Sequence, residues 1–181
     1  MRKLIYAINT TIDGCCDHTK FLPDEATFAY ATQLVRDAGT FLYGRKTYEL
    51  MVPYWPDAAK EDPTDEFAHA FDAVNKFVVF SQSLNRPEGK KTSVFNTGLK
   101  DEVLKLKQEE GKNILTGGVN LPSQLAALDL IDEYHIIIHP IIVGEGRRLF
   151  DGINLQEKLQ LKLAEHTAFK SGAVVLRYLK K

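Results

Sequence analysis

The sequence predicts one α/β domain over residues 1–181, a three-layer α/β/α arrangement with a mixed, mainly parallel sheet and an antiparallel C-terminal hairpin. Short apolar segments alternate with helix-like segments, which is typical of parallel strands joined by helical crossovers. The last two strand-like segments are separated only by Lys-Ser-Gly, which predicts the hairpin. No internal repeat, low-complexity segment or linker interrupts the chain, so we expect a single domain.

The first part of the chain begins with a strand and continues through a helix to a second strand. KLIYAIN at 3–9 is short, apolar and rich in strand-forming residues, which indicates a buried strand. Residues 24–39 carry apolar side chains at helical spacing and end at a glycine, which predicts a helix. TFLYG at 40–44 is the second predicted strand, and GRKTYE at 44–49 begins the next helix.

The middle of the chain is less regular. Pro53, Pro56 and Pro63 predict an irregular segment around Trp55. A helix is expected over 64–74, with Thr64 as its cap. Strands are predicted at 76–81 and 92–96.

The second half repeats the alternation and then turns back on itself. The predicted helices are 99–111, which ends at a glycine, and 119–130, which tolerates Pro122 because that proline lies in the first turn. The predicted strands are NILT at 113–116, a long strand with a proline break at 132–144, and the hairpin strands 159–169 and 173–179.

Composition excludes several classes of function. Apolar residues make up 44% and charged residues 26% of the chain, and its net charge of −1 argues against nucleic acid as the main partner. No apolar run approaches the ~18 residues of a membrane span, and the polar residues after Ile8 argue against a signal peptide. We therefore expect a cytoplasmic protein.

The two cysteines, Cys15 and Cys16, are neighbours, so they cannot link distant parts of the fold, and we expect reduced thiols. Together with Asp13, Asp17 and His18 they suggest a metal site. No second ligand pair at zinc-like spacing follows, however, and we expect no metal.

Three polar or glycine-rich corners follow predicted strands, where ligands bind in open α/β sheets. Arg45, Lys46 and Thr47 add two cations and a hydroxyl to a helix start, which favours a phosphate, although a basic helix start on the surface would look the same. SQS at 81–83 supplies hydroxyls and an amide, or is only a turn. TGGVN at 116–120 supplies bare backbone, or is only a tight turn, since it matches neither standard phosphate motif. Together the corners suit a long ligand with several phosphates, such as a dinucleotide.

The chain as a whole resembles a known family. The ordered segments LIYAI, FLYGRKTYE, KFVVFSQSL, NILTGGVNLPSQL and DEYHIIIHPIIVGEGRRLF are similar to the dihydrofolate reductase-like superfamily. They are most similar to the reductase domain of the bacterial riboflavin-biosynthesis deaminase-reductases, and we expect a stand-alone form without the deaminase domain. TTIDG at 10–14 resembles the Asp-Gly of that family's first loop. The resemblance covers nearly the whole chain.

The resemblance implies an NADPH site and an activity similar to 5-amino-6-(5-phosphoribosylamino)uracil reductase. Residues 44–47 would hold the cofactor phosphates, 81–83 would lie near the adenosine 2′-phosphate, and 117–121 would line the pyrophosphate and nicotinamide. Ala7 and the loop 9–14 would border the nicotinamide and the substrate. The implied cofactor-binding residues are Ala7, Gly14, Gly44, Arg45, Lys46, Thr47, Ser81, Gln82, Ser83, Gly117, Gly118, Val119, Asn120 and Leu121.

For the reaction, we expect hydride transfer from NADPH to a C=N or C=O group of a small heterocyclic substrate. Asp13 is the candidate proton donor, or alternatively a turn residue before Gly14. Asn9 and Thr11 would orient the substrate, and Tyr48 would line its pocket. The resemblance also implies a cis Gly117–Gly118 bond, although cis bonds without proline cost ~3 kcal/mol, and it makes a homodimer plausible.

Two positions depart from the related enzymes. The acidic residue that holds the pterin in dihydrofolate reductases corresponds to Phe28, which argues against folate reduction. The lysine that precedes the Asp-Gly in the riboflavin-pathway enzymes corresponds to Ala7. These departures leave a second hypothesis open, a non-catalytic nucleotide-binding or dimerisation module on the same fold.

Overall fold

The computed structural model describes residues 1–21, 24–84, 87 and 91–181. The helices are α1 (Glu25–Arg36), α2 (Arg45–Met51), α3 (Tyr54–Glu61), α4 (Glu66–Asp72), α5 (Leu99–Gln108) and α6 (Asn120–Ala127), with a short 3₁₀ turn at His18–Lys20. The strands are β1 (Leu4–Thr11), β2 (Ala38–Gly44), β3 (Lys76–Phe80), β4 (Thr92–Phe95), β5 (Asn113–Thr116), β6 (Glu133–His139), β7 (Leu161–Ala168) and β8 (Val174–Lys180).

The strands form one mixed, eight-stranded sheet in the order β4-β3-β2-β5-β1-β6-β8-β7. The first six of these pair in parallel, and β8 pairs antiparallel with both β6 and β7. The predicted fold class and the C-terminal hairpin are thereby confirmed. Parallel pairing carries the ends of β2, β3 and β5 to one edge of the sheet, where the three corners of the sequence begin.

Each face of the sheet has its own apolar core. Leu4, Tyr6 and Ile114 face α5 and α6 in one core. In the other core, neighbouring residues such as Ile5 and Phe41 pack against α1, α2 and α4. Successive strand residues point to opposite faces, so both sides of this buried sheet must be apolar. The helices on both faces complete the expected three layers.

The middle of the chain is more helical than predicted. Residues 54–61 form α3, because Pro56 lies in its first turn, where the missing N–H has no intrahelical partner to lose. The cap of α4 is Asp65 rather than Thr64, since the Asp65 carboxylate accepts the Ala68 N–H at 2.9 Å. The long strand β6 ends at His139 and does not continue beyond Pro140. In the described part of the chain, no helix is long and apolar enough to cross a membrane.

Candidate functional site

The three corners meet around one cavity at the carboxyl ends of β2, β3 and β5. This phosphate cavity, as we call it, has a volume of about 470 Å³. It is lined by Gly44, Arg45, Lys46, Thr47, Phe80, Ser81, Gln82, Gly117, Val119, Asn120, Leu121, Gln124 and Arg147. Ten of the implied cofactor-binding residues are therefore neighbours in space, although the corners are far apart in sequence.

The charge and backbone geometry of the phosphate cavity suit an anion. Arg45, Lys46 and Arg147 line it, and no described carboxylate does. The helices α2 and α6 both begin at the cavity without a side-chain cap, so their first N–H groups are available to a ligand. Arg45 is partly neutralised by Glu49 at 3.1 Å, whereas Lys46 forms no ion pair with a described residue. Of these two neighbouring cations, Lys46 is therefore the one whose charge is more available to a ligand.

The two adjacent glycines have different local requirements. Gly118 has a φ of +84°, and a Cβ there would lie 2.4 Å from Thr47 Oγ1, so the protein itself requires a glycine at this position. A Cβ on Gly117 would lie 3.5 Å from the Ala7 carbonyl oxygen, which is an ordinary contact. The expectation of a cis bond between them was wrong: the bond is trans, as are the other peptide bonds of the described residues.

A second cavity of about 520 Å³ adjoins the first and shares Lys46, Thr47 and Gly117 with it. We call it the central cavity. Ala7 and Gly118 also line it, and most of its wall is apolar, with Phe41, Leu115 and Ile137 contributed by β2, β5 and β6. A flat, weakly polar ring beside a polar phosphate end would match this pair of cavities.

Asn9 lies where the central cavity opens into a third one, and its side chain is held in one orientation. Its Oδ1 and His139 Nε2 are 2.9 Å apart, and burial lowers the pKa of His139, which keeps the ring neutral. The His139 ring in turn stacks on Phe21, with centroids 4.5 Å apart. With Nε2 donating to Oδ1, the Asn9 amide keeps its N–H groups for a ligand.

The loop after β1 is fastened to the segment after β6 by Asp13. Its carboxylate accepts hydrogen bonds from the Thr11 hydroxyl at 2.6 Å and from the Gly144 and Val143 amides at 2.9 and 3.3 Å. These bonds lower the pKa of Asp13 to about 2, and the bond from the Thr11 hydroxyl contributes most. An ionised carboxylate holds no proton at neutral pH, so this geometry favours the turn interpretation of Asp13 over that of a proton donor.

Several other implied residues lie outside the cavities. Thr11 is buried and its hydroxyl bonds to Asp13, and Gly14 forms the turn of the loop with a φ of +84°. Tyr48 is also buried, packed in the core between α2 and the sheet, where its hydroxyl lies 3.5 Å from Thr92 Oγ1. Ser83 donates its backbone N–H to Ser81 Oγ, which makes Ser81 a turn-forming residue as well as a lining one.

Several residues that line the cleft were not predicted from the sequence, among them Arg147, Cys16 and His18. Arg147 bonds to Asn120 Oδ1 and adds a cation to the phosphate cavity. Cys16 and His18 line the central cavity. Burial raises the pKa of the Cys16 thiol, while Cys15 is fully buried. The residue types of this loop suggested a metal site, and nothing in their pattern indicated that the loop lies beside the cleft.

A larger cavity, about 1150 Å³, lies at the opposite edge of the sheet, where β6 and β7 begin. It is lined by chain-terminal and loop residues such as Lys158 and Lys181. None of the implied site residues lies there. Size alone therefore does not identify the candidate site.

One protein-family model matches nearly the whole chain. The family model described as "RibD C-terminal domain" matches residues 2–175. The Bacillus subtilis (strain 168) protein named "Uncharacterized protein YyaP" is 34% identical over 148 residues, which cover 81% of this chain and 77% of YyaP.

Two solved structures share the fold. One, from Shewanella sp. PV-4, is named for riboflavin biosynthesis and matches with a TM-score of 0.71 at 20% identity over 99% of both chains. The other is the Thermotoga maritima diaminohydroxyphosphoribosylaminopyrimidine deaminase/5-amino-6-(5-phosphoribosylamino)uracil reductase, with a TM-score of 0.69 at 16% identity. The match covers 99% of this chain but only 57% of the Thermotoga chain.

Proposed function

The chain belongs to the RibD C-terminal domain family, and we propose that it is an NADPH-dependent reductase that transfers a hydride to a small heterocyclic substrate. One observation carries the proposal. A cleft runs along the carboxyl edge of the sheet from a cationic cavity into an apolar one, and the two share Lys46, Thr47 and Gly117. This order of chemistry matches a dinucleotide with a phosphate-rich end and a flat ring at the other.

The residues of the phosphate cavity fit such a cofactor. Lys46 and Arg147 would pair with its phosphates, and the free N–H groups at the start of α6 would bind the pyrophosphate. Thr47 Oγ1 forms no hydrogen bond with another described residue, so it can donate to a phosphate oxygen. Ser81 and Gln82 line the part of the cavity that would receive the 2′-phosphate that distinguishes NADPH from NADH.

The central cavity would exclude water from the reacting atoms. NADPH supplies the hydride, and the protein holds donor and acceptor together in an apolar environment. The Asn9 amide, oriented by His139, would donate to a carbonyl oxygen or ring nitrogen of the substrate and so polarise it. Because the Asp13 carboxylate is ionised, we propose that the proton comes from water at the open mouth of the cleft.

Titration of NADPH into the purified protein, followed by nicotinamide fluorescence, tests the cofactor assignment. We expect saturable binding, with NADH weaker, and a loss of affinity of about ten- to a hundredfold in Lys46→Ala, since one charge-assisted phosphate contact contributes on the order of 1.5–3 kcal/mol. Lys158→Ala is the matched control, because it removes an exposed lysine at the opposite edge of the sheet. If neither nucleotide binds, or if both variants behave alike, the cofactor assignment fails.

The non-catalytic hypothesis makes a different prediction from the same protein. The Phe28 and Ala7 departures favour it, and under it NADPH would bind without being oxidised by any acceptor. A screen of pteridines, ribosylaminopyrimidines and simple carbonyls distinguishes the two hypotheses. We further propose that the protein is cytoplasmic and that it forms a homodimer. Sedimentation of the purified protein would test the homodimer.

A further inference from the structure

The cleft continues past Asn9 into a third cavity of about 390 Å³, which we call the aromatic cavity. It shares six lining residues with the central cavity, namely Asn9, His18, Ala31, Leu50, Met51 and Phe67. Five of its wall residues are aromatic, namely Phe21, Phe28, Tyr54, Trp55 and Phe67. If the cofactor occupies the central cavity, as proposed above, this is where its substrate would bind.

The aromatic wall is held in place by three helices. Trp55 of α3 packs edge-to-face on Phe67 of α4, with ring centroids 4.5 Å apart. Phe28 of α1 contacts the same Phe67 ring at 5.7 Å, and Trp55 Nε1 donates to Met51 Sδ at 3.4 Å. Rings fixed in this way offer flat, apolar faces to another ring at little cost in side-chain entropy.

The aromatic cavity has no charge to pair with an anion. Among its described lining residues there is no lysine, arginine, aspartate or glutamate. His18 is its one imidazole, and the Nδ1 of that ring lies 4.0 Å from Asp17 Oδ1, so any positive charge on it is shared with a carboxylate. An anionic substrate would lose hydration here without gaining a counter-charge, which is strongly unfavourable.

The residues around the aromatic cavity also disfavour an anionic substrate. A cavity of about 370 Å³ that shares Leu50 and Tyr54 with the aromatic cavity is lined by three carboxylates, from Glu49, Asp57 and Glu61. Glu49 and Asp57 are paired with Arg45 and Lys60, at 3.1 and 2.7 Å, so the basic residues nearby are already neutralised. The cations of the cleft that remain are Arg147, which lines the phosphate cavity, and Lys46, which lines both the phosphate and the central cavities. Neither lines the aromatic cavity.

We propose that the aromatic cavity binds an uncharged, planar aromatic or heteroaromatic substrate that presents a carbonyl oxygen or ring nitrogen to the Asn9 amide. Phosphorylated or carboxylated substrates are selected against. This assignment separates the chain from a reductase that acts on a phosphoribosylated pyrimidine. It rests on the proposed function, because the cofactor must fill the central cavity for this cavity to receive the acceptor.

The single tryptophan of the chain, Trp55, lies in the wall of this cavity, so its fluorescence reports occupancy. The probes are 4-nitrobenzamide and 4-nitrobenzoate, which quench tryptophan and are nearly identical in shape but differ by one charge. We expect the amide to bind at least about tenfold more tightly, because the carboxylate must be desolvated without a partner. Equal affinities, tighter binding of the carboxylate, or no quenching by either probe would overturn the proposal.

Phe28→Lys should reverse the preference for the uncharged probe, since it places a cation in the wall of the aromatic cavity at a half-exposed position. We expect it to bind 4-nitrobenzoate at least as tightly as the amide, whereas Leu163→Lys, at an exposed site on β7, leaves the preference unchanged. If Phe28→Lys does not fold, the wild-type selectivity alone decides. The titrations are made first without NADPH, so a failure of cofactor binding is distinguishable from a failure of the substrate assignment.

Discussion

At the scale of single residues, Gly117 and Gly118 separate the requirements of the ligand from those of the fold. Gly118→Ala forces a side chain into a left-handed backbone and against Thr47 Oγ1, so we expect a loss of about 1–3 kcal/mol in stability. Gly117→Ala meets only an ordinary contact with the Ala7 carbonyl, so its melting temperature should stay close to that of the wild type. Thermal denaturation of the two variants checks this difference.

The same pair then tests what the glycines do for the cofactor. Gly117 lines both the phosphate and the central cavities, and the proposed pyrophosphate would lie against its backbone, so we expect Gly117→Ala to lower NADPH affinity by about tenfold or more. Stable Gly117→Ala protein with wild-type affinity would show that the ligand does not approach this backbone. Gly118 cannot serve for this purpose, because its replacement disturbs the turn itself.

Asp13 gives a second prediction at this scale. Its pKa is lowered from 3.8 to about 2, so the unfolded chain binds its proton more readily than the folded protein does. The stabilisation is therefore present above about pH 4 and is lost as the pH falls toward 2. Asp13→Asn should melt at a lower temperature than the wild type at neutral pH, and the difference should shrink in acid. A constant difference across that range, or the same behaviour in the exposed Asp151→Asn control, would contradict this role.

At the scale of elements, the buried carboxylate of Glu133 on β6 connects this strand to β8 and to Lys3, the residue that precedes β1. It is only 4% exposed and accepts hydrogen bonds from Arg177 of β8 at 2.6 Å, His135 at 2.8 Å and Lys3 at 3.2 Å. Burial alone would raise its pKa, but these bonds outweigh burial and lower the pKa to about 2. An ionised carboxylate therefore helps to hold the antiparallel strand β8 against the last strand of the parallel part, β6.

Removing that charge should be costly. We expect Glu133→Gln to lose about 3 kcal/mol of stability, since the basic partners are left without their buried counter-charge. Glu165→Gln removes the other carboxylate that pairs with Arg177, at 3.3 Å, but its side chain is 61% exposed. It should change stability by less than about 0.5 kcal/mol. Denaturant unfolding of both variants measures the contrast, and equal losses would refute the proposed importance of Glu133.

At the scale of the whole molecule, strand periodicity and the order of elements were sufficient to predict the layers, the mainly parallel sheet and the hairpin. The meeting of the three corners was also predictable, because parallel strands end at one edge. The helix α3 was missed, since its prolines were interpreted as breaks although Pro56 occupies a first-turn position that tolerates proline.

The finer features of the site depend on contacts that no local pattern encodes. Tyr48 and Thr11 were expected at the substrate, yet one is directed into the core and the other bonds to Asp13. Arg147 reaches the phosphate cavity from a loop more than twenty residues beyond Asn120, to which it bonds. The aromatic cavity is assembled from α1, α2, α3 and α4 together with Asn9, His18 and Phe21, so its uncharged character emerges only once these segments pack together.

The proposed function requires that a nicotinamide dinucleotide phosphate bind along the carboxyl edge of the sheet. A crystal structure of the protein with NADP⁺ tests it most directly. We predict density for the pyrophosphate against residues 117–121 and Lys46, and for the nicotinamide ring in the central cavity beside Ala7. Density in the cavity at the opposite edge of the sheet, or no bound nucleotide in crystals grown at saturating concentration, would contradict the account.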